Sequence, residues 1–513
     1  MNMREWVIPV LLAVVTTWFV QKYVIDRWLK PADPKAEQSF MAPNTERPLK
    51  PLHTAINFID HEKPRPEELT EIPTQWGTVT FSSHGAIISA LDFNHTIDGS
   101  STQLRTIYPH TTTDREQEAF IIGLSCATPY YYMLVSQDAA DDQTIVTYRA
   151  AYEYGTLTKI FTVHHDRCQI DLQCELSCTK NCPAEGIEMR INYPAPYLME
   201  IGDREQIGGL LITQDNIFEK IDRAKIIIDK GWFSPHLFGA ENTYFIHTLT
   251  ADSNNVVQRA YYKLVDQRGL ISILETKPVM GDATYAFSFY CGPKTDAVVM
   301  AVDQRLEQAL GYAGYFAFLA RFFLMILTFL FSLVHNYGIA IILLTVLLKI
   351  VLLPLTIRGD AKMKKQQELA HQLTYVKQRY SDNPERLAQE QAALIRKFGF
   401  PGAGCLPLLL QIPIFIAMRG VLSNALELYQ AHFLWIPDLS ARDPYYVLPL
   451  ILTIAMFVQA AYADKTQRIT IITMGLIFGA LMAQFAAGLV LYFVMHSLLT
   501  VLQTRLVRWL KWA

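Results

Sequence analysis

Two hydrophobic rhythms divide this chain. Between residues 55 and 304, apolar side chains recur mostly at every second position in short runs, the period of a strand with one buried face. TVTFSS (78–83), GAIISAL (85–91), TIVTYRAAYEY (144–154) and KIFTVHH (159–165) read as strands. Glu153-Tyr154-Gly155 falls between the last two as a hairpin turn. Elsewhere the apolar runs are long: 6–25, 338–357, 406–428, 445–463, 469–485 and 489–507 approach the length of a bilayer-spanning helix. The pattern predicts an all-β sandwich at 55–305 and a polytopic α-helical membrane protein of six spans around it.

Two segments need separate treatment. Residues 1–28 have an apolar core followed by bulky Trp18, Phe19 and Tyr23 where a signal-peptide cleavage site needs small residues, so they read as an uncleaved anchor. A polar, proline-rich linker follows at 29–54. In 311–334, Arg321 leaves only thirteen uninterrupted apolar residues, Phe322 to Val334. That length predicts an interfacial amphipathic helix and not a span. Residues 337–513 then form the membrane core, with a cytoplasmic helical hairpin at 358–399. Within the hairpin, Ser381-Asp382-Asn383-Pro384 supplies a cap and a first-turn proline for the second helix, and Gly399 ends it.

The run GIAIILLTVLLKIVLLPLTIR (338–358) contains a lysine near its middle. Lys349 lies nine residues from Arg358, or about 13 Å along a helix, farther than its stem comfortably snorkels. A mid-span lysine costs about 2.5–3.5 kcal/mol to insert, and each neighbouring Leu, Ile or Val returns about 0.3–0.6. The helix therefore inserts, and its lysine must face protein or water. Thr345, one turn earlier on the same face, makes a polar stripe with it. The competing reading is a helix shifted along its axis so that Lys349 only snorkels.

Charge sets the orientation. The net charge of −3 hides a split: residues 337–513 carry 17 Lys+Arg against 9 Asp+Glu, and the remainder 28 against 39. Loop 358–397 holds nine basic and five acidic residues, and the tail bears Arg505, Arg508 and Lys511. With the N-terminus inside, six spans place both basic stretches in the cytoplasm and the β domain in the periplasm. Lys22, Arg27 and Lys30, after the first span on the outer side, are discordant. The basic residues form no aromatic-interleaved patch, which argues against nucleic acid, and there is no P-loop pattern.

Six of seven cysteines precede Tyr337, and Cys174-x3-Cys178-x3-Cys182 invites a metal reading. In CQIDLQCELSC (168–178), however, Cys168, Ile170, Leu172, Cys174, Leu176 and Cys178 alternate with mostly polar residues, as on one buried strand face. No metal or cofactor is expected. A disulfide through Cys182 or Cys291 stays open. His164 and His165, at a strand end, read as a packed or solvated pair, and no catalytic constellation emerges.

GCLPLLLQIPIF (404–415), HFLWIPDLSARDPYYVLP (432–449), GLVLYF (488–493) and the KIVLLPLT segment resemble the YidC membrane-protein insertases over 337–513. The outer β domain resembles the Gram-negative form in position and character. The resemblance implies a five-helix insertase core with a hydrophilic groove open to cytoplasm and lipid. It implies an inner-membrane insertase and chaperone, not an enzyme, which inserts transmembrane segments alone or beside the Sec translocon. The implied partners are nascent membrane-protein clients and membrane lipids, with the ribosome and signal-recognition machinery at the cytoplasmic loop and tail. By this resemblance the family's groove arginine falls on Lys349, its threonine on Thr345, its glutamine on Gln411, and its aromatic pair on Tyr492 and Phe493. The resemblance implies a β domain that is a large sandwich similar to sugar-binding domains, with no established enzymatic role. Three positions depart from the pattern: lysine replaces the planar guanidinium, Phe493 stands where many relatives carry a second tyrosine, and Ala486-Ala487-Gly488 replaces a PSG turn.

Two other readings compete. A polytopic transporter using Lys349 as a substrate or proton site would show repeated broken helices, and none is visible. An envelope sugar-binding protein would not need five further spans. The charge split makes a direct prediction: a reporter fused after Asp382 is active in the cytoplasm and silent in the periplasm, measured with a paired cytoplasmic and periplasmic reporter.

Overall fold

The computed structural model describes residues 55–59, 65–97, 100–108, 115–179, 182–199, 206–227, 230–265, 269–310, 316–380, 384–398, 406–462 and 465–509. The expected anchor at 1–28 and linker at 29–54 lie outside these residues. The chain divides into two compact units, a β unit within 50–315 and a helical unit carrying 316–423 and 428–513.

In chain order the strands begin with β1 (Leu69–Pro73), β2 (Gly77–Ser82), β3 (Ile87–Ile97), β4 (Ser100–Ile107), β5 (Ile121–Leu124) and β6 (Met133–Ala139). Next come β7 (Gln143–Tyr152), β8 (Gly155–His164), β9 (Gln169–Cys178), β10 (Met189–Pro194), β11 (Gly208–Ile212) and β12 (Phe218–Asp222). The last are β13 (Gly231–Phe233), β14 (Leu237–Glu241), β15 (Phe245–Asp252), β16 (Val257–Val265), β17 (Gly269–Thr276) and β18 (Ala283–Pro293). They form three antiparallel sheets, ordered β1-β2-β3-β4, β13-β16-β17-β10-β5 and β12-β11-β14-β15-β18-β9-β8-β7-β6.

The two smaller sheets cover one face of the nine-stranded sheet. Phe81 of β2 meets Phe161 of β8 at 4.8 Å between ring centroids, and Phe93 of β3 meets Phe245 of β15 at 5.0 Å. From the other sheet, Tyr262 of β16 stacks on Phe238 of β14 at 4.4 Å and Tyr193 of β10 reaches Phe289 of β18 at 5.2 Å. The alternation in the sequence maps onto this layering. In β7, Val146, Tyr148, Ala150 and Tyr152 are buried while the residues between them are partly or fully exposed, a one-faced antiparallel pattern.

The β7–β8 hairpin closes where the turn signal lies: Tyr152 pairs with Gly155 across Glu153 and Tyr154. Glycine is required there because a Cβ would stand 1.7 Å from the Ser177 carbonyl oxygen. In β9, Ile170, Leu172, Cys174 and Leu176 are buried between half-buried polar neighbours, so the Cys174–Cys178 spacing is a strand period, but Cys178, expected on the buried face, is only half-buried because it ends the strand. Among the described residues no group of three or more His, Cys, Asp or Glu is arranged to hold a metal. Cys178 pairs with Cys182, and Cys291 is a buried free thiol. His164 is tied to Asp171 at 2.8 Å, and His165 to Thr144 at 2.9 Å and the Asp141 carbonyl at 3.2 Å.

After β18 come the short α1 (Asp296–Val302) and then, in the helical unit, α2 (Ala317–Val334), α3 (Tyr337–Arg379), α4 (Pro384–Phe398), α5 (Leu406–Asn424), α6 (Val447–Ala461), α7 (Lys465–Met482) and α8 (Ala487–Trp509). Three findings differ from the sequence reading. Arg321 does not divide 311–334: α2 is one 18-residue helix with mean hydropathy 2.3, long and apolar enough to cross a bilayer. An arginine is a good helix former, and its charge breaks hydropathy without breaking hydrogen bonding. The span at 338–357 and the first arm of the expected hairpin are one continuous 43-residue helix, which runs through Pro354. The run at 445–463 yields only the 15-residue α6, about 22 Å long against a hydrocarbon core of about 30 Å. Its first residues form a turn ending at Tyr446, whose φ is +56°. Among the described residues, α2, Tyr337–Pro354 of α3 and Ala487–Leu506 of α8 have the length and composition of spans. Pro384 opens α4, as the cap signal predicts.

The β unit also buries charge. The Lys159 ammonium, fully enclosed, donates to the carbonyls of Gly85 (3.0 Å), Ala86 (2.5 Å) and Phe120 (2.7 Å). Burial draws its pKa down, while three backbone acceptors take all three protons of the charged form. Glu118 accepts from the Tyr130 hydroxyl at 2.8 Å through one oxygen, and its other oxygen is buried without a partner. Desolvation pushes the Glu118 carboxyl up to about 7. With the folded value above the unfolded one, the native state binds the extra proton between about 4.5 and about 7. The contribution of Glu118 to stability is thus fully present below that window and lost as pH rises through it. Urea unfolding midpoints of the parent, compared with Glu118→Gln, are expected to rise more steeply on acidification from pH 7.5 to 5.

Candidate functional site

Lys349 and Thr345 sit one turn apart on α3, whose first turn is capped by Asn336 through the Ile339 N–H at 3.1 Å. Thr345 is 1% exposed and returns its hydroxyl proton to the Ile341 carbonyl at 2.7 Å, a common fate for a hydroxyl in an apolar helix. Lys349 is half-buried, and its ammonium donates to the Thr500 hydroxyl of α8 at 2.8 Å. Seven residues further along α3, Thr356 accepts from Gln503 of α8 at 3.4 Å. Partner numbers rise together, so α3 and α8 run parallel at these contacts.

The same face of α8 carries Tyr492 and Phe493, and Gln411 meets it from α5. Tyr492 is 2% exposed and accepts from the Gln411 carboxamide of α5 at 3.4 Å. Its ring lies 6.1 Å from His496. Phe493 packs against Phe415 of α5 and Phe478 of α7, at 5.6 and 5.3 Å between centroids. Gln459 of α6 donates to the Ser497 carbonyl at 3.1 Å. Four helices therefore converge on α8. Tyr492 and Thr500 are eight residues apart, about 12 Å along the helix, which sets the Gln411 and Lys349 contacts at different depths.

The loop between α5 and α6 fixes where α6 and α8 start. Asp443, 3% exposed, accepts from the Leu448 N–H at 2.7 Å, the Tyr445 N–H at 3.1 Å and the Trp435 indole at 3.2 Å. It thus caps α6 and pins the loop. The loop then caps α8: Ala487 N–H donates to the Ala441 carbonyl at 2.6 Å and Gly488 N–H to the Leu439 carbonyl at 2.8 Å. These bonds satisfy amides that a helix start leaves unpaired. Gly338 at the start of α3 faces the Phe433 ring, which a Cβ would approach to 2.0 Å.

Residues 329–511 match the family described as 60Kd inner membrane protein. The chain is also 31% identical over 361 residues to membrane protein insertase YidC of Geobacter metallireducens, covering 68% of this chain and 67% of that relative. The chain belongs to the YidC family of membrane protein insertases. A YidC of Geotalea daltonii is 28% identical over 84% of this chain and 85% of its own. A solved structure of an active YidC insertase with its first transmembrane domain resolved aligns over 87% of this chain and 94% of that one, at 19% identity and a TM-score of 0.36. The family is one of inner-membrane insertases and not of enzymes.

Within this YidC chain, the five sequence-derived residues fall into two groups. Gln411, Tyr492 and Phe493 lie together on the α5–α8 contact, and Lys349 meets α8 a little over two turns along from Tyr492. Thr345 is enclosed and engaged with its own helix. Sequence reasoning missed Thr500, His496, Gln503, Gln459 and Asp443. For α8 a signal was present: Tyr492, His496, Thr500 and Gln503 recur at helical spacing on one face. Phe493 occupies an aromatic cluster, and the Ala486-Ala487-Gly488 turn is held by the two loop carbonyls.

Asp443→Ala leaves the buried Leu448 N–H and two part-buried donors, the Tyr445 N–H and the Trp435 indole, without their acceptor, at about 1–3 kcal/mol for a buried group that finds no other. The thermal unfolding temperature of the detergent-solubilised protein is expected to fall sharply, and Asp443→Asn, which keeps an acceptor oxygen, is expected to fall less.

Proposed function

We propose that this protein inserts and helps fold transmembrane segments of inner-membrane clients by offering them a hydrated, positively charged groove within the membrane. The observation that carries the reading is the Lys349 ammonium, which lies mid-helix in an apolar segment and bonds to α8 at Thr500. A charge kept there costs insertion energy, which a structural contact between two apolar helices does not require. The ammonium attracts acidic residues in the short outer tail of an incoming chain. At 4 Å and an effective dielectric near 20 the attraction is about 4 kcal/mol at most, and water reduces it. Gln411 and Tyr492 add polar atoms along the same path. The client's apolar segment then partitions into lipid, which supplies the driving force. No nucleotide is consumed.

The arrangement in the membrane belongs to the same proposal. Six spans put both termini and the α3–α4 hairpin in the cytoplasm and the β unit in the periplasm, consistent with the basic loop and tail. In that topology α2 lies along the outer membrane surface, since a seventh span would invert the loop. Its exposed Phe318, Phe322, Met325, Phe329 and Leu333 form one apolar stripe suited to contact with lipid. The Sec translocon is the expected partner in the membrane, and the ribosome with its targeting machinery at the hairpin and tail.

Lys349→Ala is expected to fold, because it removes an intramembrane charge, and to lower insertion of clients with acidic outer tails more than of neutral-tail clients. Lys349→Arg is expected to retain activity, since the role is attraction and hydration. The measurement is insertion of matched acidic-tail and neutral-tail clients at equal protein levels. Parental insertion of both by Lys349→Ala would eliminate the groove-charge reading.

A further inference from the structure

Lys349 alone does not fix where the intramembrane charge stands. A lysine carries a point charge on a four-carbon stem, and near a helix end such a stem swings toward the headgroups. In this chain the ammonium donates to Thr500 Oγ1 at 2.8 Å, and that hydroxyl donates its own proton to the His496 carbonyl at 2.7 Å. The second bond decides the chemistry of the first. A hydroxyl has one proton and two lone pairs. With the proton committed to the preceding turn of α8, the oxygen faces Lys349 as an acceptor. Its own hydrogen bond polarises it further.

We propose that Thr500 is the positioning residue for the Lys349 charge: it holds the ammonium against α8, within the membrane, at the place where a client's acidic tail is to meet it. The proposal rests on the insertion reading above and adds a residue on a different span. It bears on the choice of lysine at this position. A guanidinium presents five donors in a rigid fork and reaches several acceptors at once. An ammonium concentrates its three donors on one atom, so a well-placed acceptor such as Thr500 Oγ1 bears directly on where the charge stands. Thr500 occupies the polar face of α8 between Tyr492 and Gln503, and its hydroxyl is oriented by the backbone of its own helix. The acceptor is therefore in place before Lys349 docks.

The test uses the full-length protein in proteoliposomes. Thr500→Val keeps the shape and removes the acceptor, and Thr500→Ser keeps the acceptor. Two quantities are read: the ratio of acidic-tail to neutral-tail client insertion, and acylation of Lys349 by a membrane-impermeant amine reagent, quantified by peptide mass spectrometry. Thr500→Val is expected to lower the ratio and raise Lys349 acylation, each by about tenfold or more, the lower range for losing one hydrogen bond to a charged group. Thr500→Ser is expected to match the parent in both. Parental acylation or a parental ratio in Thr500→Val overturns the proposal, as does a Thr500→Ser variant that behaves like Thr500→Val. Lys349→Ala, run alongside, separates the two claims. If it loses the acidic-tail preference while Thr500→Val keeps it, only the role of Thr500 fails. If Lys349→Ala keeps the preference, the insertion reading fails, and acylation alone upholds or overturns the placement by Thr500.

Discussion

Hydrocarbon offers no hydrogen bonds, so every polar group carried into it must find its partner in the protein or in water admitted by the protein. That constraint shapes the helical unit of this chain more than any single contact. Lys349 binds Thr500, Thr500 binds the backbone of α8, Thr345 binds the backbone of α3, and Gln411 meets Tyr492. The last helix is common to most of these bonds. It carries one face of Tyr, His, Thr and Gln side chains, and α3, α5, α6 and α7 each contribute a contact to it. The start of α8 must then be fixed accurately, and the loop carbonyls of Leu439 and Ala441 fix it.

The β unit meets the same demand in a different solvent. Its interior is apolar, yet it encloses Lys159 with three carbonyl acceptors from two loops that precede β3 and β5. Those loops lie at the junction of the layers, where backbone groups leave the sheets and would otherwise be buried unpaired. One ammonium satisfies three of them. A buried lysine is normally a liability; here it closes a gap that no apolar side chain can close.

The strands were the most legible part of the fold. Period-two alternation survives in β7 and β9 because one face of a large antiparallel sheet is covered and the other is open. Which strands pair at long range was not legible: β9 lies beside β18, and β5 beside β10, and no local signal encodes such pairings. In the helical unit, hydropathy located the apolar runs but not helix ends. Arg321 lowers hydropathy without ending α2, and Pro354 sits inside α3 without ending it. In the site, the residues found from sequence were those with a charge in an apolar run or a motif around them. Thr500 has neither. Its importance comes from standing opposite Lys349, 151 positions earlier in the chain, a relation that spacing along one helix does not contain.

The continuous α3 helix has a mechanical consequence. Thirty residues of unbroken helix join Lys349 to Arg379, a rod of about 45 Å at the usual rise per residue. A helix is stiff on this scale and bends over radii of about 60–100 Å, with Pro354 the place where this one can kink. Tilting such a rod by about five degrees sweeps its far end through about 4 Å at that rise. Whatever takes hold of the distal arm therefore acts with leverage on the segment that bears the buried charge.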